Sequence, residues 1–519
     1  MSQPGLLGKF EGVVVNSTTE NANSTHEKTY LKWYNKVGYG SGDIAGNVVY
    51  AFLSAFVMIY LTDTVGLNAG IIGTLMLLSK IFDGGSDLFF GMMIDRTRTK
   101  WGKARPWMFY GYFGCAITLV AVFAIPTSMG TTAQYAWFFI AYSLLNAGFF
   151  TANNIAFSSL TALITKNRSE RVQMGSIRFM FAFGTSLLIQ TITVGFVAYM
   201  GGDAAAWRTV AIIYAIVGLI SNTIAVASVR ELPESELRDA DDDTKADDKV
   251  SFPETLKLLI NNPFYLILLG VYLMTQFFTV TLNMGIYYMT YILGDANLLG
   301  VFAWTINIPL IVGLLLVPFI VKAMGGMYKI NIIGYAITLI GRILVIVAAS
   351  MGSLPLMLVF TGLASLGQAP LQGTLSALIA EASEYTYLTK GKRIDGAFFS
   401  TTSLGQKIGG GVATAVAGWL LELGGYDGTA EVQTEQALNM ISFIYLWVPT
   451  IMATAVVALL FFLRVEKANQ KLRDSMIGVG REKVGATVDD LGVSDSEGRP
   501  ADSRPVDLAD PEGDNPPSR

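Results

Sequence analysis

Histidine and cysteine are almost missing from this sequence. Its 519 residues hold one cysteine, Cys115, and one histidine, His26. A single thiol excludes an intrachain disulfide. A lone imidazole leaves almost nothing for a zinc site, for His-based general acid–base chemistry or for a Ser-His-Asp triad. With no other nucleophile–base pair or metal cluster, neither an enzyme nor a cofactor is expected. Charge is scarce as well: Asp, Glu, Lys and Arg make up 15% of the chain, against about 25% in soluble domains. The net charge of −4 offers no basic footprint, so nucleic acid is not an expected partner. Residues 1–30 are rich in Asn, Ser and Thr and lack an apolar core behind a basic start, so no secretory signal is expected there.

What fills the chain is apolar residue: 52% of it, with a mean hydropathy of +0.48. These residues come in twelve blocks, at 37–61, 70–94, 107–126, 134–163, 178–200, 208–229, 263–293, 297–321, 329–349, 354–379, 396–421 and 437–463. Each is long enough, at about 1.5 Å per residue, to cross a hydrocarbon layer of ~30 Å. An all-α membrane protein of twelve spans is therefore expected, with the lipid bilayer as its surroundings. Lys and Arg alternate across the connections. Arg96, Arg98, Lys100, Lys103 and Arg105 crowd the gap after span 2, and Lys390, Lys392 and Arg393 the gap after span 10, while the gaps after spans 1, 3, 7, 9 and 11 hold none. The positive-inside rule then places both termini in the cytoplasm, as in a plasma (inner) membrane protein.

The polar stretch 230–262 divides the chain into bundles at 35–229 and 263–463, with tails at 1–34 and 464–519. The tails read as solvated ends, the second as disordered, and either could bind a cytoplasmic regulator. Gly91-x-x-x-Asp95-Arg96 after span 2 and Pro318-x-x-x-Lys322 after span 8 are a weak internal echo. Two similar six-span halves with a midplane site is a plan shared by many secondary transporters.

An intramembrane charge costs about 2.5–3.5 kcal/mol on insertion scales, so each asks for a reason. Lys80, Asp83 and Asp87 lie at i, i+3 and i+7 on one face of span 2. Two neighbouring carboxylates in a low-dielectric site cannot both stay ionised without a cation or a shared proton. The face therefore suits Na+ or H+, with a structural Lys–Asp pair as the alternative. In span 4, Thr151, Asn154 and Ser158 share a face beside Asn153, fit either to glue helices or to line a polar path. In span 1, Asp43 and Asn47 share a face, with Asp43 near enough to the surface to snorkel. Lys407 lies deep in span 11 and calls for a carboxylate partner. Arg178 opens span 5 near the surface, and Arg342 is close enough to the outer end of span 9 to snorkel.

The runs Tyr60-Leu-Thr-Asp63, Lys80-Ile-Phe-Asp83-Gly-Gly-Ser-Asp87 and Gly91-x-x-x-Asp95-Arg96-Thr-Arg98-Thr-Lys100-Trp101-Gly102-Lys103-x-Arg105-Pro106-Trp107 resemble the glycoside–pentoside–hexuronide:cation symporters. These are the melibiose permease-like branch of the major facilitator superfamily. Glu170-Arg171, Glu384-Tyr385, Lys390-Gly391-Lys392-Arg393 and Gln406-Lys407-x-Gly409 match too, so the resemblance covers residues 35–463. It implies alternating access and uptake of a sugar or glycoside with Na+ or H+. Asp83, Asp87 and Thr151 fall on the family's cation site, and Lys407 on its neighbouring lysine. Asn154 and Asn47 fall where melibiose-transporting members carry sugar-binding aspartates, and Ser158 where they carry a tryptophan. Asp43, Asn47, Asn153, Asn154, Ser158, Arg178 and Lys407 are accordingly the expected substrate residues. Amides replacing carboxylates favour a neutral glycoside over melibiose, with a hexuronide as runner-up and Arg178 as its attractor. Asp95, Arg96 and Arg98 are expected to meet Glu381 or Glu384 when the cytoplasmic side closes. A sugar sensor, an exporter and a lipid or drug transporter on the same fold are the alternatives. The last would call for a more apolar cavity.

Overall fold

The computed structural model describes residues 28–233, 236 and 252–475, except 127, 393 and 431. His26, most of both tails and the middle of the 230–262 stretch lie outside the described residues. The chain divides into two units, 1–466 and 467–519. In the second, residues 467–475 are helical.

The described residues are helical throughout, with no strand beyond one isolated bridge from Thr99 to Gly102. The long helices are α1 (Trp33–Thr64), α2 (Ala69–Arg96), α3 (Arg105–Val122), α4 (Thr131–Ile164), α5 (Arg168–Tyr199) and α6 (Ala204–Ser228). After a short amphipathic helix at Phe252–Ile260 come α7 (Pro263–Tyr291), α8 (Leu298–Met324), α9 (Met327–Ser350), α10 (Leu354–Lys390) and α11 (Asp395–Leu423). The last, α12, joins Glu435–Ser442, a π turn at Phe443–Trp447 and Val448–Phe462. In hydrocarbon every backbone N–H and C=O must be bonded within its own segment, which is why apolar blocks of this length become helices. Among the described residues nine helices are long and apolar enough to cross a membrane. The three that fall short are α2, α3 and α11. α2 carries Lys80, Asp83 and Asp87, α11 carries Lys407, and α3 opens on Arg105, Pro106 and Trp107.

Helix starts are written in side chains that accept the otherwise unpaired N–H groups. Asn68, Asn167, Asp203, Asn262 and Thr434 each cap the helix that follows. Two glutamates do so from a distance. Glu231, beyond α6, accepts from the N–H groups of Lys103, Ala104 and Arg105 at the start of α3. Glu466, beyond α12, accepts from Met327 and Tyr328 at the start of α9. The segment after α6 thus caps α3, and the segment after α12 caps α9. A carboxylate at a helix N-terminus contributes about 0.3–1 kcal/mol.

Helix-to-helix packing in the first half centres on aromatic rings. Phe52 of α1 stacks on Phe123 at 4.2 Å, and Trp207 of α6 closes the group. In the second half Arg342 departs from expectation. It is 1% exposed rather than snorkelling, and donates to the Tyr445 carbonyl at 2.6 Å. That carbonyl lies in a π turn, where a shifted backbone ladder frees an acceptor. Arg178 and Asp43 depart too. Arg178 stands in the third turn of α5, not at its start, and holds Asp43 at 2.7 Å. Neither side chain needs the surface once the two are paired.

Candidate functional site

The charges of α2 and α11 form one knot across the two halves. Lys407 Nζ lies 3.0 Å from Asp83 and 2.7 Å from Asp87. Thr151 Oγ1 donates to Asp83 at 2.6 Å, and Lys80 stands 3.7 Å from the same carboxylate. Asp83 is 4% exposed, whereas the Asp87 side chain is 37% exposed. Asp83 is therefore the anchored acid, and Asp87 faces open space. Two acids and two lysines leave the knot neutral, which lowers the cost of holding it in the membrane interior. Thr151 reaches Asp83 because α4 opens into a π turn at Leu144–Phe150 just before it. There the one hydroxyl proton of Thr151 is shared with the Asn146 carbonyl, 2.8 Å away, and Lys80 donates to the Asn146 side chain at 3.3 Å.

The remaining expected site residues separate into groups. Asp43 and Arg178 pair under Tyr39 and Phe157, with the guanidinium 4.0 Å from the centre of the Phe157 ring. Asn153 is buried and bridges Met108 and Asn222 at 2.7 and 3.1 Å, so its amide N–H groups hold α4 to α3 and α6. Asn154 and Ser158 are exposed, one and two turns beyond Thr151. Asp95, Arg96 and Arg98 are exposed at the end of α2 and beyond it, while Glu381 and Glu384 are half-buried toward the end of α10.

The two ends of the molecule differ. On the face opposite the basic connections, the halves are joined by direct bonds. Thr62 meets Tyr287 at 2.9 Å. Tyr291 donates to Asp63 at 2.7 Å, and Tyr426 donates to the other oxygen of the same carboxylate. Trp419 donates to Thr74 at 2.9 Å, and Trp304 to Thr191 at 3.0 Å. Here α2 and α11 touch backbone to backbone: a Cβ at Gly73 would sit 3.0 Å from Ala415 Cα, and one at Gly418 would strike the Ala69 carbonyl. Toward the basic face the helices part. A Cβ at Gly84 would still meet Leu404, but at Gly85 and Gly91 nothing lies within 4 Å. Among the loops of the closed face, Asp427 accepts from the N–H and hydroxyl of Thr429, which hold its carboxyl below the usual carboxylate range.

Between the halves lies a cavity of about 300 Å³, walled by α1, α5, α7, α8, α10 and α12. Asn47 is in its wall, and sequence reasoning had singled it out. Gln190, Asn283, Asn307, Gln368 and Gln372 are there too and had not been recognised. Amides are common within apolar helices as glue, and no spacing within the sequence links α5 to α10. The Asp63–Tyr291–Tyr426 group was also missed as a unit, for the same reason.

A bundle of apolar helices in two halves, with a buried charge knot and a cavity between them, defines a multi-pass membrane transporter. The chain belongs to the MFS/sugar transport protein family, whose model matches residues 38–467. It is 28% identical over 461 residues to the isoprimeverose transporter of Lactiplantibacillus pentosus, covering 88% of this chain and 93% of that protein. It is likewise 28% identical over 412 residues to the glucuronide carrier protein homolog of Escherichia coli (strain K12), covering 79% and 87%. Among solved structures, a D-xylose-proton symporter superposes with a TM-score of 0.58 at 15% identity, covering 83% of this chain and 97% of that one. The nucleoside transporter NupG does so with 0.58 at 12%, covering 82% and 98%. These two likenesses speak for the fold.

Proposed function

We propose that this protein is a secondary active transporter that imports a sugar or glycoside by symport with Na+ or H+, and that it catalyses no reaction. The observation that carries the reading is the knot of Asp83, Asp87, Thr151 and Lys407. A lysine ammonium between two carboxylates occupies the place a coupling cation would take. Na+ favours oxygen ligands, and Asp83, Asp87 and the Thr151 hydroxyl supply them. H+ would instead neutralise one acid. In either case the Lys407 contacts to α2 weaken when the cation arrives. Because Lys407 is on α11 and the acids are on α2, cation binding then alters the contact between the halves. That is the element a symporter needs in order to link ion and substrate to one rocking motion.

The positive-inside rule makes the basic face cytoplasmic, so the described state is closed outside and open inside. In that frame residues 35–229 and 263–463 are the two bundles, each of six spans, and both termini are cytoplasmic in the plasma membrane. Asp95, Arg96 and Arg98 would approach Glu381 and Glu384 when the inner side closes. The glycoside names of the relatives support a sugar as cargo. The direct test is uptake of a radiolabelled glycoside panel into right-side-out vesicles under separately imposed Na+ and H+ gradients. One of the two gradients should drive accumulation above equilibrium. Equal uptake with and without both gradients would contradict the reading.

A further inference from the structure

The cavity between the halves has an unusual lining. Its wall contains no Asp, Glu, Lys or Arg. Its polar groups are six side-chain amides, at Asn47, Gln190, Asn283, Asn307, Gln368 and Gln372. Hydroxyls of Tyr50, Ser54, Ser186 and Thr279 lie among them. The knot of Lys407 with Asp83 and Asp87 and the pair of Arg178 with Asp43 are outside this wall. The buried Arg342 is not in this wall either; its Nη2 donates to the Tyr445 carbonyl at 2.6 Å.

The amides fall into two sets. Asn47, Gln190 and Asn307 donate back onto their own helices, onto the carbonyls of Asp43, Ser186 and Ala303 at 2.9, 3.3 and 2.8 Å, which for Asn47 and Asn307 spends one of the two N–H groups. Each therefore has its carbonyl oxygen left as an acceptor. Asn283, Gln368 and Gln372 make no hydrogen bond among the described residues, and Gln368 is only 9% exposed. A half-satisfied amide in such a place costs free energy unless a ligand or water completes it. The wall thus offers acceptors and donors from both halves, with the wholly unspent amides in the second. The rings of Phe183 and Tyr50, which are not buried, add flat apolar surface.

We infer that this cavity is the cargo site and that its cargo is a neutral glycoside, one to two sugar rings long. Hydroxyls both donate and accept, which matches amides, and the C–H faces of a sugar ring match the aromatic wall. A uronate would bring a carboxylate into a wall with no cation to pair it, at a desolvation cost the amide donors only partly return. The length follows from the volume, which lies at the lower end of the roughly 300–1,000 Å³ of small-molecule sites. The inference rests on the sugar-symporter reading. It adds that specificity lies in amides of α7 and α10 rather than in the charged groups of the first half.

The test uses the full-length protein in proteoliposomes, with matched pairs of nitrophenyl glycosides and glycosiduronates in the gluco, galacto and manno series, and nitrophenyl xylosides. Binding and counterflow are both measured. For the sugar series that binds, the neutral member should bind at least about ten-fold more tightly than its uronate. Gln368→Leu and Asn283→Leu should each weaken it about ten-fold, the worth of one buried hydrogen bond. Gln372→Ala, at an exposed position, gives the same reading if the buried variants do not assemble. A uronate bound as tightly as its neutral partner, or wild-type affinity in all the variants that assemble, would overturn the inference while leaving sugar symport standing. Failure of every glycoside to bind would overturn both.

Discussion

In the proposed mechanism Lys407 is a tethered cation. Its ammonium lies within 3.0 Å of both acids of α2, and it competes with any free ion for them. Removing it should unmask the site. Lys407→Met is expected to tighten binding of the coupling cation roughly ten-fold, from the ~1.5–3 kcal/mol typical of hydrogen bonds to charged groups, while uphill transport is lost. Cation titration by calorimetry in detergent checks this; weaker cation binding in the variant would assign Lys407 a supporting role instead. Asp83 and Asp87 are not equivalent in this picture. Asp83 is held by Thr151 and both lysines, whereas Asp87 keeps one of its partners and an open side.

At the scale of the helix, the contact between α2 and α11 sets how far the closed face can shut. Leucine at Gly418 would drive a side chain into the Ala69 carbonyl, where only hydrogen now fits. Gly418→Leu should therefore hold the outer ends of α2 and α11 apart. Cys115 is fully buried, so a single cysteine introduced at Ser54 in the cavity wall can report access by a membrane-impermeant thiol reagent. The variant should be labelled faster from the outside than the parent; equal rates would mean the helices shift to accommodate the leucine. The helices themselves were legible because hydropathy reads the bilayer. Spans expected at 208–229, 263–293 and 329–349 appear as α6, α7 and α9 within a few residues. Hydropathy does not read where a helix stops, however. The spans expected at 178–200 and 354–379 are parts of the longer Arg168–Tyr199 and Leu354–Lys390, because polar residues continue a helix outside hydrocarbon. That offset is why Arg178 looked like a surface residue and is instead within reach of Asp43. The Asp83–Asp87 face was legible from spacing on one helix. The cavity amides, scattered over α1, α5, α7, α8 and α10, were not, since only folding brings them together.

For the whole molecule the question is what keeps one face shut while the other is open. Asp63 carries much of the answer. One carboxylate of the first half receives hydroxyls from Tyr291 and Tyr426 of the second. Two charge-assisted bonds of ~1.5–3 kcal/mol each are enough to bias a two-state equilibrium by well over ten-fold. Asp63→Ala should shift the population toward the state open on this face. Impermeant labelling of a cysteine at Ser54 should rise from the outside and fall from the cytoplasmic side of inverted vesicles. Unchanged labelling from both sides would show that the glycine contacts of α2 with α11 close the face without the carboxylate.

Whether Asp83 and Asp87 couple a cation gradient to glycoside movement is decided by a single comparison. Gradient-driven accumulation and zero-gradient counterflow of the same glycoside are measured side by side in vesicles for the parent, Asp83→Asn and Asp87→Asn. Both variants should lose accumulation above equilibrium while counterflow survives, since the glycoside site lies partly elsewhere. Normal accumulation in both variants would contradict that coupling.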